Sequence, residues 1–141
     1  GAVVVDYSEL SAKAVNFIGT FFAESEITLI TVCELPSEFR LKYYGLTNVE
    51  TESFIKAEKD RCGMQLGKFI SDLEVDSSRI NSVVIDGSLN AKKVIEVARE
   101  SGVGLVCVAA SKLDDFISKI IGNVASEIVE KSPIDTLVYR G

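Results

Sequence analysis

Five apolar runs of strand length punctuate the chain: Ala2–Val5, Ile27–Val32, Ile80–Ile85, Gly104–Val108 and Thr136–Tyr139, most of them rich in β-branched residues. Runs this short and continuous predict strands covered on both faces. Between them apolar residues return every three or four positions. Leu10, Ala14, Phe17, Ile18 and Phe21 mark the first stripe, and Phe54, Ala57, Leu66, Phe69, Ile70 and Leu73 the second. A third runs through Ala91, Val94, Ile95 and Ala98, and a fourth through Ile117, Ile121, Val124, Ala125 and Ile128. Each stripe predicts an amphipathic helix. Strands alternating with about four helices predict a single-domain, doubly wound α/β fold: a parallel five-stranded sheet with right-handed crossovers and helices on both sides.

Local signals refine this outline. Ser8 and Ser88 are expected N-caps, since a hydroxyl there accepts from the free N–H groups of a first helical turn. Gly102 and Gly104 mark the end of the third helix. Glu34 to Asn48, with Pro36, Gly45 and the aromatics Phe39, Tyr43 and Tyr44, reads as a long irregular connection, of a length that is commonly functional or disordered. Tyr43 and Tyr44 either cover a pocket or pack the loop on the second helix, and packing is the simpler expectation.

Composition narrows the class. At 141 residues, 47% apolar and 26% charged, the chain reads as one globular domain spanning 1–141, able to bury a core without staples. Its net charge of −6 argues against nucleic acid as a partner. No apolar run approaches the roughly 20 residues of a spanning helix, and no signal-peptide pattern opens the chain. A cytoplasmic domain with no membrane insertion is expected. The start at Gly1, directly before an apolar run, also fits a piece of a longer polypeptide.

Histidine is absent, which removes imidazole acid–base chemistry and histidine metal ligands. No metal site and no catalytic residue is expected. Cys33, Cys62 and Cys107 lie in separate segments without a CxxC spacing, so neither a disulfide framework nor a zinc site is expected. Cys33 and Cys107 read as small core residues. Cys62, beside Arg61, reads as an inert thiol or as one activated by the neighbouring cation.

In an open parallel sheet, ligands bind beyond the carboxyl ends of the strands, where strand order reverses. Asp6–Ser8, Cys33–Pro36, Asp86–Ser88 and Ala109–Asn123 are therefore the segments to inspect. Those segments carry a resemblance. Val3-Val4-Val5-Asp6-Tyr7-Ser8-Glu9-Leu10-Ser11, Ile85-Asp86-Gly87-Ser88, and the stretch from Leu105 through Gly122-Asn123-Val124-Ala125-Ser126-Glu127 to Leu137-Val138-Tyr139-Arg140 together resemble the universal stress protein family over essentially the whole chain. The resemblance implies a Rossmann-like fold of the adenine nucleotide alpha hydrolase type.

ATP-binding members of that family carry a Gly-x2-Gly-x9-Gly-Ser/Thr loop after the fourth strand. The matching positions here are Ala109, Lys112, Gly122 and Asn123, with both gaps intact. Ala109 adds a methyl group and Asn123 keeps a donor. Lys112 is the larger departure: its stem fills the phosphate position, its ammonium binds phosphate as a point charge, or it is a solvated loop charge, the first and last being the simpler expectations. Asp6 matches a family position beside the nucleotide, though a helix-start carboxylate explains it equally well. Gly87 allows close approach of a ligand, or serves a turn needing positive φ.

The resemblance thus implies a non-catalytic stress-response module, homodimeric through the strand Leu137, Val138 and Tyr139, with ATP binding lost or weakened and a protein partner in reserve. An alternative is an ATP- or AMP-binding switch lined by Asp6, Gly87, Lys112, Gly122, Asn123 and Ser126. A third reading is a regulatory part of a larger protein such as a transporter.

Overall fold

The computed structural model of the chain describes residues 1–35, 38–109, 127–128 and 130–140. Five strands form one parallel sheet: β1 (Ala2–Val4), β2 (Ile27–Cys33), β3 (Ile80–Asp86), β4 (Leu105–Ala109) and β5 (Asp135–Tyr139). Their spatial order is β3-β2-β1-β4-β5. The chain winds outward from β1 to β3, crosses back to lay β4 against the other side of β1, and ends at β5. This is the doubly wound architecture that the alternating pattern predicts.

The helices are α1 (Glu9–Phe21), α2 (Glu38–Tyr43), α3 (Asn48–Ser71) and α4 (Ala91–Glu100). Residues 127, 128, 130 and 131 are also helical. They are the described end of the fourth predicted stripe, the rest of which lies outside the described residues. α1 and α3 cover one face of the sheet, packing on Val3, Val5, Leu29 and Cys107. α4 and Ile128 cover the other, against Ala2, Val4, Ile30, Val106 and Val108. The switch of face at each successive residue of β1 is the period-two geometry of a strand. Ile18, Ile27, Leu29 and Ile30 are sealed from solvent, each contributing about 1.5–3 kcal/mol of transfer free energy.

Several local expectations change. Ser8 does cap α1, accepting from Ser11 N, but α4 is capped by Asn90, which accepts from Lys93 N, rather than by Ser88. An amide oxygen next to the first helical residue competes better than a hydroxyl two positions further away. Gly102, at φ 69°, ends α4 as expected: Val103 N reaches Ala98 O and Gly102 N reaches Arg99 O, the paired bonds of a Schellman turn. The connection expected to be irregular contains α2, closed at Gly45 (φ 89°) by the same pair of bonds to Leu41 O and Lys42 O. Tyr43 and Tyr44 pack on each other edge to face, yet are 78% and 70% exposed, so they do not anchor the loop.

Phe17 and Phe21 stand on the solvent side of α1 and stack on each other. In α3 the covered stripe runs through Thr51, Cys62, Leu66 and Phe69, while Phe54 and Ala57 face outward. The apolar stripe predicted there lies one position off: Phe54 and Ala57 are exposed, while their neighbours Ile55 and Glu58 are half-buried.

The largest correction concerns sulfur. Cys33 and Cys62 form a disulfide with Cα atoms 6.0 Å apart, so neither is a free thiol. Arg61 is engaged by Glu58, two guanidinium nitrogens sharing one carboxylate oxygen. Linking residues 29 positions apart restricts the unfolded chain, an effect of about 3–4 kcal/mol in the chain-entropy picture. Cys107 is the free cysteine of the chain, buried in the core as expected.

Arg79 ties the sheet to the end of α1: its guanidinium donates to the carbonyls of Gly19, Phe22 and Ser25, satisfying acceptors that a helix C-terminus leaves open. Close by, a Cβ built on Gly19 would overlap a methyl of Val75.

Gly19→Ala is expected to destabilise the protein by about 1–3 kcal/mol in urea unfolding through this overpacking, although helix propensity alone predicts a gain of about 1 kcal/mol. An increase in stability would show that Val75 yields. Burial pushes the Cys107 thiol up to about 11. Alkylation of the folded protein at pH 8 should therefore be far slower than of the unfolded chain. Because the neutral thiol is favoured in the fold, stability should be constant through neutral pH, fall as pH rises from the ordinary thiol range to about 11, and level off above it.

Candidate functional site

Strand order reverses between β1 and β4, which pair in parallel with Val4 opposite Val108. The crevice above this pair is bounded by the turn after β1 and the end of β4. Asp6 and Ala109 stand on its two sides, as the sequence predicts. Ala109 is 5% exposed and opposite Tyr139 of β5, with its methyl group packed in the α1–α3 core.

The turn after β1 is tightly built. Asp6 Oδ1 accepts from Ser8 N at 3.0 Å and from Ser11 Oγ at 2.7 Å, and Asp6 N donates to Ser11 Oγ at 3.2 Å. Ser11 N in turn donates to Ser8 Oγ. Asp6 therefore does the work of a helix-start carboxylate with one oxygen. Its Oδ2 has no partner among the described residues. That oxygen can accept a hydrogen bond from a ligand hydroxyl or amine.

Tyr7, between Asp6 and Ser8, has φ 66°, a left-handed conformation that a bulky residue rarely adopts. The strained turn directs its ring edge-on to Phe69 of α3, with centroids 5.5 Å apart, and its hydroxyl is buried without a hydrogen-bond partner. Nothing in the sequence marks Tyr7 as special. Its backbone angle is imposed by joining β1 to a helix whose face is already fixed by packing.

Gly87 sits elsewhere. β3 lies two strands from β1, about 10 Å at ordinary strand spacing. Gly87 has φ 105° and donates its N–H to Cys33 O at 3.0 Å, which supports the turn reading. A Cβ there would meet only Lys93 Nζ, at 3.9 Å. The adjoining Asp86 pairs with Lys59 of α3 at 3.8 Å. Lys112, Gly122, Asn123 and Ser126 lie outside the described residues. Of the seven predicted positions, the structure thus brings Asp6 and Ala109 to the reversal point and sets Gly87 apart.

Two other depressions lie away from the reversal. A groove of about 400 Å³ runs between α4 and the helical residues Glu127 and Lys131, lined by Ile95 and Arg99 among others. A smaller one, about 160 Å³, sits at the α2–α3 corner between Lys42, Asn48, Thr51 and Glu52. Among the described residues, no helix is long and apolar enough to cross a membrane.

Comparison with known proteins agrees with this architecture. UspA, a universal stress protein from Lactobacillus plantarum, superposes with a TM-score of 0.68 at 14% identity, over 99% of this chain and 97% of that one. A universal stress protein solved in complex with cAMP gives 0.56 at 18% identity, over 98% and 95%. A member of the same family from Burkholderia pseudomallei gives 0.61 at 12% identity, over 98% and 94%. No curated protein sequence matches the chain at a significant level. The family model described as the universal stress protein family matches residues 2–140. By that match, and by the fold just described, the chain belongs to the universal stress protein family.

Proposed function

We propose that this chain is a homodimeric, non-enzymatic regulatory module of the stress response, paired through β5, whose adenine-nucleotide site is lost or weakened. The observation that carries the reading is the condition of β5. Among the described residues it pairs with β4 alone and forms the edge of the sheet. Its sequence, Asp-Thr-Leu-Val-Tyr, has no proline or lysine, the residues that commonly keep an edge from pairing. Val138 is 38% exposed.

Aromatic surface continues from that edge onto α1. Tyr139 meets Phe17 at 5.5 Å, Phe17 stacks on Phe21 at 5.7 Å, and Phe21 meets Phe22 at 4.9 Å. Phe21 is 69% exposed. A second copy related by a twofold axis would extend the sheet through β5 and cover part of this ledge with its own. Large rings contribute most to such contacts. Dimer formation is common in the family, and the partner in this reading is another copy of the chain.

The alternative, an ATP- or AMP-binding switch, draws on Asp6 Oδ2 at the reversal point and on the relative solved with cAMP. In that case Lys112 acts as the phosphate-side cation, with Gly122, Asn123 and Ser126 around it. The two readings differ in what Lys112 does to the loop.

Sedimentation is expected to find a dimer at micromolar concentration. Val138→Lys should weaken it at least tenfold, since each buried charge without a partner costs more than about 1.4 kcal/mol. A monomer in the native protein would refute the pairing. Calorimetric titration with magnesium ATP and with AMP should show no binding tighter than about 100 μM, and Lys112→Gly should tighten it. Micromolar binding to the native protein would favour the switch instead.

A further inference from the structure

We propose that the Cys33–Cys62 pair is a reversible redox clasp, whose state decides how firmly α2 and the N-terminal half of α3 stand against the carboxyl edge of the sheet. The inference is independent of whether a nucleotide binds.

The segment from Glu38 to Arg61 is weakly held by packing. Among its described side chains, from Arg40 to Arg61, none belongs to either hydrophobic cluster of the core. Thr51 is the only buried position of α3 before Cys62, and its hydroxyl has no hydrogen-bond partner. Leu41 is buried in α2. Outward stand Tyr43, Tyr44, Val49 and Phe54, between 42% and 78% exposed. At 24 residues α3 is about 36 Å long, and only its second half reaches the core, through Leu66 and Phe69.

Among the described residues, two side-chain links join α3 to the sheet edge. One is the Lys59–Asp86 ion pair, 3.8 Å apart and more than half exposed on both sides, a kind of contact that contributes little. The other is the disulfide, which joins the last residue of β2 to α3 one turn after Lys59. Cys33 also accepts from Gly87 N through its carbonyl, so the bond sits where the ends of β2 and β3 meet. A disulfide between two elements that already share a core adds to a joint that exists. Here it is the main joint, and local opening of the weakly packed arm exposes its sulfurs to attack.

The chemistry closes with a low-molecular-weight disulfide such as oxidised glutathione as the oxidant. The Cys62 thiolate attacks one sulfur of that disulfide, forming a mixed disulfide and releasing one small thiol. The Cys33 thiolate then attacks Cys62 Sγ, expelling the second. Two protein thiols lose two protons and two electrons, and one small disulfide becomes two thiols. Excess thiol runs the sequence backwards. Cys107, buried in the core, takes no part.

Hydrogen exchange followed by mass spectrometry on the native chain tests the clasp in three states: oxidised, reduced with dithiothreitol, and reduced then treated with oxidised glutathione. Reduction should raise exchange across residues 38–61 at least tenfold while β1, β2 and β4 keep their protection, and oxidised glutathione should restore it. Cys33→Ser with Cys62→Ser should reproduce the reduced pattern and no longer respond to either reagent. Unchanged exchange in the arm, an equal rise throughout the sheet, unfolding on reduction, or failure of glutathione to reclose the bond would each overturn the proposal. Since the reduced native chain carries the test alone, failure of the double variant to fold does not remove it.

Discussion

The parallel pairing of β1 with both β2 and β4 is the constraint on which the remaining structure hangs. Three residues, Ala2, Val3 and Val4, stand in register between a strand on each side and point alternately into two cores. Once β1 is fixed in this way, α1 must lie on one face and α4 on the other, and the reversal point opens beside Asp6. The ring of hydrogen bonds through Asp6, Ser8 and Ser11 is the local device that turns the chain from strand to helix within four residues.

Around that centre the molecule is unevenly held. The α1 side is consolidated by Arg79 on the helix C-terminus and by the Gly19–Val75 contact, which leaves no room for a methyl group. Among the described residues, the α2–α3 arm before Cys62 contributes to neither core cluster and is joined to the sheet by a covalent bond. β5 on the far edge is covered on one side and open on the other. A domain with a rigid centre, an open edge and a tethered arm has its adaptable parts at its margins, where partners and solutes meet it.

The sheet, its parallel sense and its covering by helices on both faces were legible because apolar periodicity and strand–helix alternation encode them directly. Phe69 and Leu66 read correctly as inward. Thr51 and Cys62 did not, since neither residue type marks a buried helical face by itself. Asp6 and Ala109 were placed correctly because strand ends follow from strand boundaries. Gly87 was grouped with them by motif, and only the spatial order of strands separates it by two positions from β1.

Sequence by itself therefore determined the family, the doubly wound sheet and the position of the reversal, since each depends on short-range pattern and chain order. Tertiary structure alone decided the rest. It paired Cys33 with Cys62 across 29 residues, gave Tyr7 its left-handed angle, turned Phe17 and Phe21 to solvent and set Asn90 at the start of α4. All of these depend on which surfaces meet after the sheet has closed. A residue's own chemistry restricts such meetings but does not choose among them, because the choice is made by the packing of elements distant in sequence.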